Sequence, residues 1–134
     1  PARLVMIDAA LHRFAQENGI TIDITPTGSA QGISYGGKIE LDPTAGTKTL
    51  IHELAHELLH HSKDGAPLDP QPREIEAESI AYIVASHFEI PQLNSPNSLA
   101  LCGANSADIM ARADRIRQTA ATLINAIESQ VNPQ

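Results

Sequence analysis

Thr49-Leu50-Ile51-His52-Glu53-Leu54-Ala55-His56-Glu57-Leu58-Leu59-His60 is the stretch from which the rest of the chain is read. Leu50, Ile51, Leu54, Leu58 and Leu59 recur at helical spacing, so the segment is an amphipathic helix with its apolar side on a core. Histidines four residues apart share one helix face, about 6 Å apart, where both imidazoles reach one cation. Glu53 directly follows the first of them. The pattern H-E-x-x-H suits Zn²⁺ held by His52 and His56, with Glu53 as the general base for a metal-activated water. Two histidines and one carboxylate leave zinc an open fourth position, the arrangement of hydrolytic sites.

The third ligand is sought downstream. Glu74 and Glu78 lie four apart on one face of a second apolar-periodic segment, while Glu76 points some 200° away from Glu74. One carboxylate of the pair completes the ligand set and the other accepts the free ring N–H of a ligating histidine. The spacing makes Glu74 the ligand, Glu78 its outer partner and Glu76 an exposed residue. A helix whose first turn is acidic only to suit the dipole is the alternative that spacing leaves open. His60 is a rival ligand, but a straight helix puts it about 12 Å along the axis from His52. It is read as an outer partner of the site or a helix cap. His12 and His87 are surface or packing histidines.

Outward from these segments, residues 2 to 18 carry Leu4, Ile7, Leu11 and Phe14 at helical spacing and stop at Asn18-Gly19. Residues 20 to 25 alternate as a strand. Residues 31 to 35 and 38 to 42 form two short strands joined through Gly36-Gly37, a hairpin signal. Pro43 to Gly46 ends the sheet, and the motif helix runs from about 47 to 61. A polar loop follows; the second helix starts within 69 to 72 and runs to about 89. After a loop over 92 to 104, a last helix covers 105 to 129, with Ile109, Ala113, Ile116, Ala120, Leu123 and Ile127 on one face. About four helices and a small three-stranded sheet make an α+β fold in a single domain, 1–134.

The 134 residues carry a net charge of −7, which excludes direct nucleic-acid binding through a basic surface. Arg112, Arg115 and Arg117 form only a small basic patch. Aromatic residues are 3% of the chain, so the core is built from Leu, Ile, Val and Ala. Cys102 is the sole cysteine, which excludes an internal disulfide and points to a cytoplasmic protein. No apolar run reaches the roughly 18 residues of a membrane span. A start at Pro1 suggests the C-terminal part of a longer protein.

The motif helix, together with Glu74-Ile75-Glu76-Ala77-Glu78-Ser79-Ile80-Ala81-Tyr82, resembles the ImmA/IrrE-type metallopeptidases. Within them the chain is most similar to the zincin-like C-terminal domain of ArdC-type antirestriction proteins of mobile elements. The resemblance reaches Ser95-Pro96-Asn97 and the last helix, and loosely the hairpin around Gly32 to Asp42. It departs at Ser98 and Cys102, where family members often carry aromatics. It implies a zincin-like (gluzincin) fold, one Zn²⁺ or Mn²⁺ on His52, His56 and Glu74, and Glu53 as catalytic glutamate. It also implies a helix-turn-helix repressor as substrate and a DNA-binding domain upstream that these residues do not contain. By the same resemblance, and by β-augmentation, Lys38, Ile39, Glu40 and Leu41 form the edge strand that pairs with the substrate backbone. Tyr35 and His60 are the candidate oxyanion donors.

Two other readings stand beside a zinc metalloendopeptidase. A zinc-binding interaction domain without proteolysis needs the same ligands but has no use for Glu53. The apolar stripe of the last helix suits a dimer, or the domain's own core.

Overall fold

Helix α1 spans Ala2–Glu17 and ends at Gly19, whose φ of 73° closes the last turn; Ile20 N–H donates to Ala15 O at 2.8 Å. Strands β1 (Thr21–Ile24), β2 (Gly32–Ser34) and β3 (Lys38–Leu41) follow, then helices α2 (Thr47–His60), α3 (Pro70–His87) and α4 (Ser106–Val131). The computed structural model describes residues 2–60, 70–90 and 106–131, with side chains over 3–59, 73–90 and 113–131. Among the described residues the fold is α+β, four helices and a three-stranded mixed sheet. None of these helices is long and apolar enough to cross a membrane. Each element expected over these residues forms within a few residues of its expected ends. The family blocks at 95–97, Ser98 and Cys102 lie outside the described residues.

The sheet order is β1-β3-β2, with β1 parallel and β2 antiparallel to β3. This corrects the expectation that Lys38, Ile39, Glu40 and Leu41 offer a free edge. β3 is the central strand, and both its sides are already paired. Ile39 and Leu41 point into the core, while Lys38 lies 3.5 Å from Asp23 and 3.4 Å from Glu40 on the outer face. A hairpin has two strands, and sequence alone did not reveal that β1 would add to the β3 side. The free strand beside the metal-motif helix is β2. Gly36 and Gly37 make the two-residue turn, with φ of 91° and 88° that other residues adopt only at a cost.

α2 lies between this sheet and α3. Its Leu50, Ile51, Leu54 and Ala55 are fully buried, against Ile39 and Leu41 on one side and Ala77, Ile80, Ala81 and Val84 of α3 on the other. Each large side chain buried in this way contributes about 1.5–3 kcal/mol. α3 in turn is held between α2 and α4, and α1 closes the core against α4. The stripe of α4 is therefore used within the chain: Ala120, Leu123 and Ile127 are core residues and Ile116 packs against them.

The same sandwich corrects Glu76. The face of α3 turned away from α2 meets α4 rather than solvent, so Glu76 is 0% exposed, and its Oε2 lies 3.1 Å from Arg115 Nε. Arg117 contacts Asp114. Two of the three arginines of the apparent basic patch thus face carboxylates.

α3 ends as α1 does, with Ile90 N–H donating to Ala85 O at 2.8 Å, but the left-handed residue here is Glu89, at φ 57°. A side chain in that region is strained by about 1 kcal/mol. Its contact with Arg3, at 3.8 Å between exposed groups, offsets little of this. Glu89→Gly is expected to raise stability by about 0.5–1 kcal/mol, read as a higher midpoint in urea with an unchanged slope.

Candidate metal centre

His52 and His56 leave α2 on the side that faces the first turns of α3, and there Glu74 meets both. Glu74 Oε1 is 2.8 Å from His56 Nε2, and Oε2 is 3.2 Å from His52 Nε2. The two imidazole rings stand edge to face with centroids 4.9 Å apart. One ligand atom from each of the three residues falls within 4.8 Å of the others. Two imidazole nitrogens and one carboxylate oxygen suit zinc better than magnesium or calcium, which prefer all-oxygen cages. The donor set therefore fits a divalent cation of the borderline class. The histidine side chains are only 15% and 12% exposed, whereas Glu74 is 64% exposed and reaches in from solvent.

Glu78 meets His52 at the ring's other nitrogen. Its Oε2 is 3.4 Å from His52 Nδ1, so a proton on that nitrogen faces Glu78. Its other oxygen is 2.8 Å from Lys48 Nζ. The hydrogen bond to His52 and the Lys48 charge hold the Glu78 carboxyl down at about 2, against the opposing effect of burial. Contacts with His52 and His56 push Glu74 down as well. Burial opposes charging of His52, but the contacts with Glu74 and Glu78 outweigh it and raise its pKa to about 9. The side chain of His60 lies outside the described residues.

Glu53 points to the opposite flank, under β2. It is 7% exposed and has no hydrogen-bond partner among the described residues. Burial raises its pKa, and the positive character of His52 and His56 only partly counters this. A carboxylate moved towards neutrality and left unpaired is a good proton acceptor. Gly32 is the reason it has room. A Cβ at that position would stand 2.9 Å from Glu53 Cγ and 3.1 Å from Thr49 Cγ2.

Glu57, one turn beyond Glu53, was not singled out from sequence, and it ties the sheet to α2. Gly36 N–H and Gly37 N–H donate to its two carboxylate oxygens at 2.9 and 2.6 Å, and Ser34 Oγ donates as well. Its spacing from Glu53 was the available signal, since residues four apart share a face. Tyr35 is not brought to the site. Strand alternation puts it on the outer face, 51% exposed, where its hydroxyl donates to Glu40 at 2.8 Å.

Two cavities open on either side of Gly32, His52 and Glu53. One is also lined by Gln31, Lys48, Thr49 and Glu78. The other, about 330 Å³, is lined also by Ile33, Ser34, His56, Arg73 and Glu74. A cleft therefore crosses the His/His/Glu cluster along β2. In the antiparallel pair, Tyr35 N–H bonds Lys38 O and Asp42 N–H bonds Gln31 O, so the backbone groups of Gly32 and Ser34 point away from β3. Among the described residues no strand pairs with that side.

No protein-family model, curated protein or solved structure matches the chain. The His/His/Glu geometry therefore carries the functional argument.

Metal binding needs the Nε2 lone pair of His52, so the proton held there must leave. Without metal, a histidine raised from 6.5 to about 9 stabilises the fold fully below pH 6.5, and that contribution is lost as pH rises through 9. Zinc affinity is expected to run the other way, rising about tenfold per pH unit for each proton displaced and levelling off above pH 9. Calorimetry in buffers of different ionisation enthalpy counts the protons. Binding that is independent of pH, or unchanged in Glu74→Ala, would contradict the ligand assignment.

Proposed function

We infer that the chain is a zinc-dependent metalloendopeptidase of the gluzincin type. The observation that carries this reading is the convergence of Glu74 on His52 and His56, with a buried, unpaired Glu53 beside them. A Zn²⁺ ion held by those three residues would supply Lewis acidity to a peptide carbonyl and to a water molecule.

The chain's own groups account for the remaining requirements. His52 and His56 are oriented before any ligand arrives, because α2 is buried and Glu78 meets His52 Nδ1. Glu53 accepts a proton from the attacking water at its carboxylate and returns it to the leaving amide nitrogen. The raised pKa of Glu53 shortens the gap between those two steps. The outward N–H and C=O groups of Gly32 and Ser34 are the hydrogen-bonding edge for an extended peptide, the role first expected of β3. A cleft open on both sides of Glu53 admits a chain that continues past the scissile bond in both directions, which favours endopeptidase action.

By the family resemblance, the substrate is a helix-turn-helix repressor. Binding without hydrolysis leaves the buried Glu53 carboxylate without a use, so the hydrolytic reading is preferred.

Glu53→Gln is expected to keep zinc at one ion per chain and to lower peptide hydrolysis at least ~10²-fold. Measuring bound metal and turnover on the same sample decides the point. Undiminished turnover removes Glu53 as the base, and no hydrolysis by the zinc-loaded parent chain leaves the non-proteolytic reading standing. A second variant tests the backbone. Gly32→Ala forces either Glu53 or β2 to move, and a displacement near 1 Å costs on the order of 10²-fold in rate. Zinc content in that variant should stay at the parent level.

A further inference from the structure

Among the described residues, Arg73 is the one cationic side chain lining either cavity that no carboxylate answers. Lys48, which lines the other cavity, is held by Glu78 at 2.8 Å. Arg73 stands directly before Glu74 on α3 and lines the larger cavity with Ser34, His56 and Glu74. Its Nε is buried and makes no hydrogen bond, and no ion pair to it occurs among the described residues. A buried guanidinium N–H without an acceptor is costly. It is also a planar fork whose geometry matches a carboxylate through two parallel hydrogen bonds. Apart from Ile33, that cavity is lined by polar, charged or small residues, so a large apolar side chain gains little there.

We propose that Arg73 is a substrate-specificity residue, binding a carboxylate of the peptide in the part of the cleft beyond His56 and Ser34. The inference rests on the peptidase reading and adds a substrate class to it. The carboxylate belongs either to an internal Asp or Glu side chain or to the peptide's own C-terminus, and the two sources present the same chemistry to the guanidinium. Arg73 lies beside the metal ligands without being one, so its contribution is selectivity between peptides. The signature is a ratio of rates.

The test uses the zinc-loaded chain and three sets of peptides. One set carries a single Glu scanned through the positions on either side of the scissile bond, with amidated C-termini. The second replaces that Glu with Gln, and the third has no acidic side chain but a free C-terminal carboxylate. At one position, or with the free C-terminus, kcat/KM is expected to exceed that of the uncharged counterpart by about tenfold or more. That ratio should fall to about one in Arg73→Gln, and Arg73→Glu should favour a Lys at the same position. A ratio near one in the parent chain, or one kept in Arg73→Gln, overturns the proposal. So does a uniform loss of rate on every peptide at constant ratio, which would place Arg73 at the reacting carbonyl. The same peptides are also titrated onto zinc-loaded Glu53→Gln and its Arg73→Gln double variant, reading binding alone. An Arg73-dependent preference for the carboxylate there, without hydrolysis by the parent chain, sinks the peptidase reading and keeps the site. Equal binding of charged and uncharged peptides sinks the site.

Discussion

A helix buried against both a sheet and another helix keeps ionisable groups only if its neighbours answer them, and α2 carries four in six residues. His52 and His56 are answered by Glu74 and Glu78 of α3. Glu57, 8% exposed, is answered by the hairpin turn through three donors. A buried carboxylate with that many hydrogen bonds offsets most of its desolvation and, in doing so, fixes where the β2–β3 turn must sit. Only Glu53 is left without a hydrogen bond among the described residues. The packing that answers the other three thus leaves Glu53 free for the proton transfer proposed for it.

The consequence for the site is a division of labour between the two faces of α2. α3 supplies the carboxylates that meet the histidines, and α4 packs on the other face of α3. Arg115 is part of that packing: it meets a fully buried Glu76 on the far face of α3, two residues from Glu74. Removing one partner of such a pair leaves the other charge buried, which is why the far face of α3 bears on the position of Glu74. β2 supplies backbone instead of side chains. Gly32 lets that backbone touch Glu53, and Ser34 shares the Glu57 tie, so the proposed substrate edge and the proposed proton acceptor belong to one frame.

How much of this could be read from the chain follows the range of the interaction involved. The His52/His56 pair and the Glu74/Glu78 pair depend on helical periodicity alone, and both were legible because each lies within one helix. Glu74 reaches both histidines because α2 and α3 pack side by side. Glu76 was misjudged because a 200° turn away from one neighbour predicts solvent only when there is no second neighbour, and α4 arrives some 30 residues later in the chain. The same limit hid the parallel pairing of β1 with β3, which takes the edge that local pattern gave to Lys38–Leu41. Tyr35 follows from that error. Once β3 is central and its Ile39 and Leu41 face α2, alternation across the pair turns Ser34 inward and Tyr35 outward.

The electrostatics of the cleft extend the argument from position to charge. The cluster of Glu53, Glu74 and Glu78 brings three carboxylates around two histidines, and in the metal-free chain a proton on His52 is what keeps that density tolerable. A divalent cation on His52, His56 and Glu74 would take that proton's place and set two positive charges, instead of one, against the same carboxylates. A lone Arg73 beside such a cluster would be redundant if its role were to neutralise Glu74, whose contacts are with the histidines. Its guanidinium lines the same cavity as Glu74, and its buried Nε makes no hydrogen bond there. With a cation bound, the Glu74 carboxylate would be largely neutralised, and Arg73 would then be the cationic group open to the peptide carboxylate we propose for it.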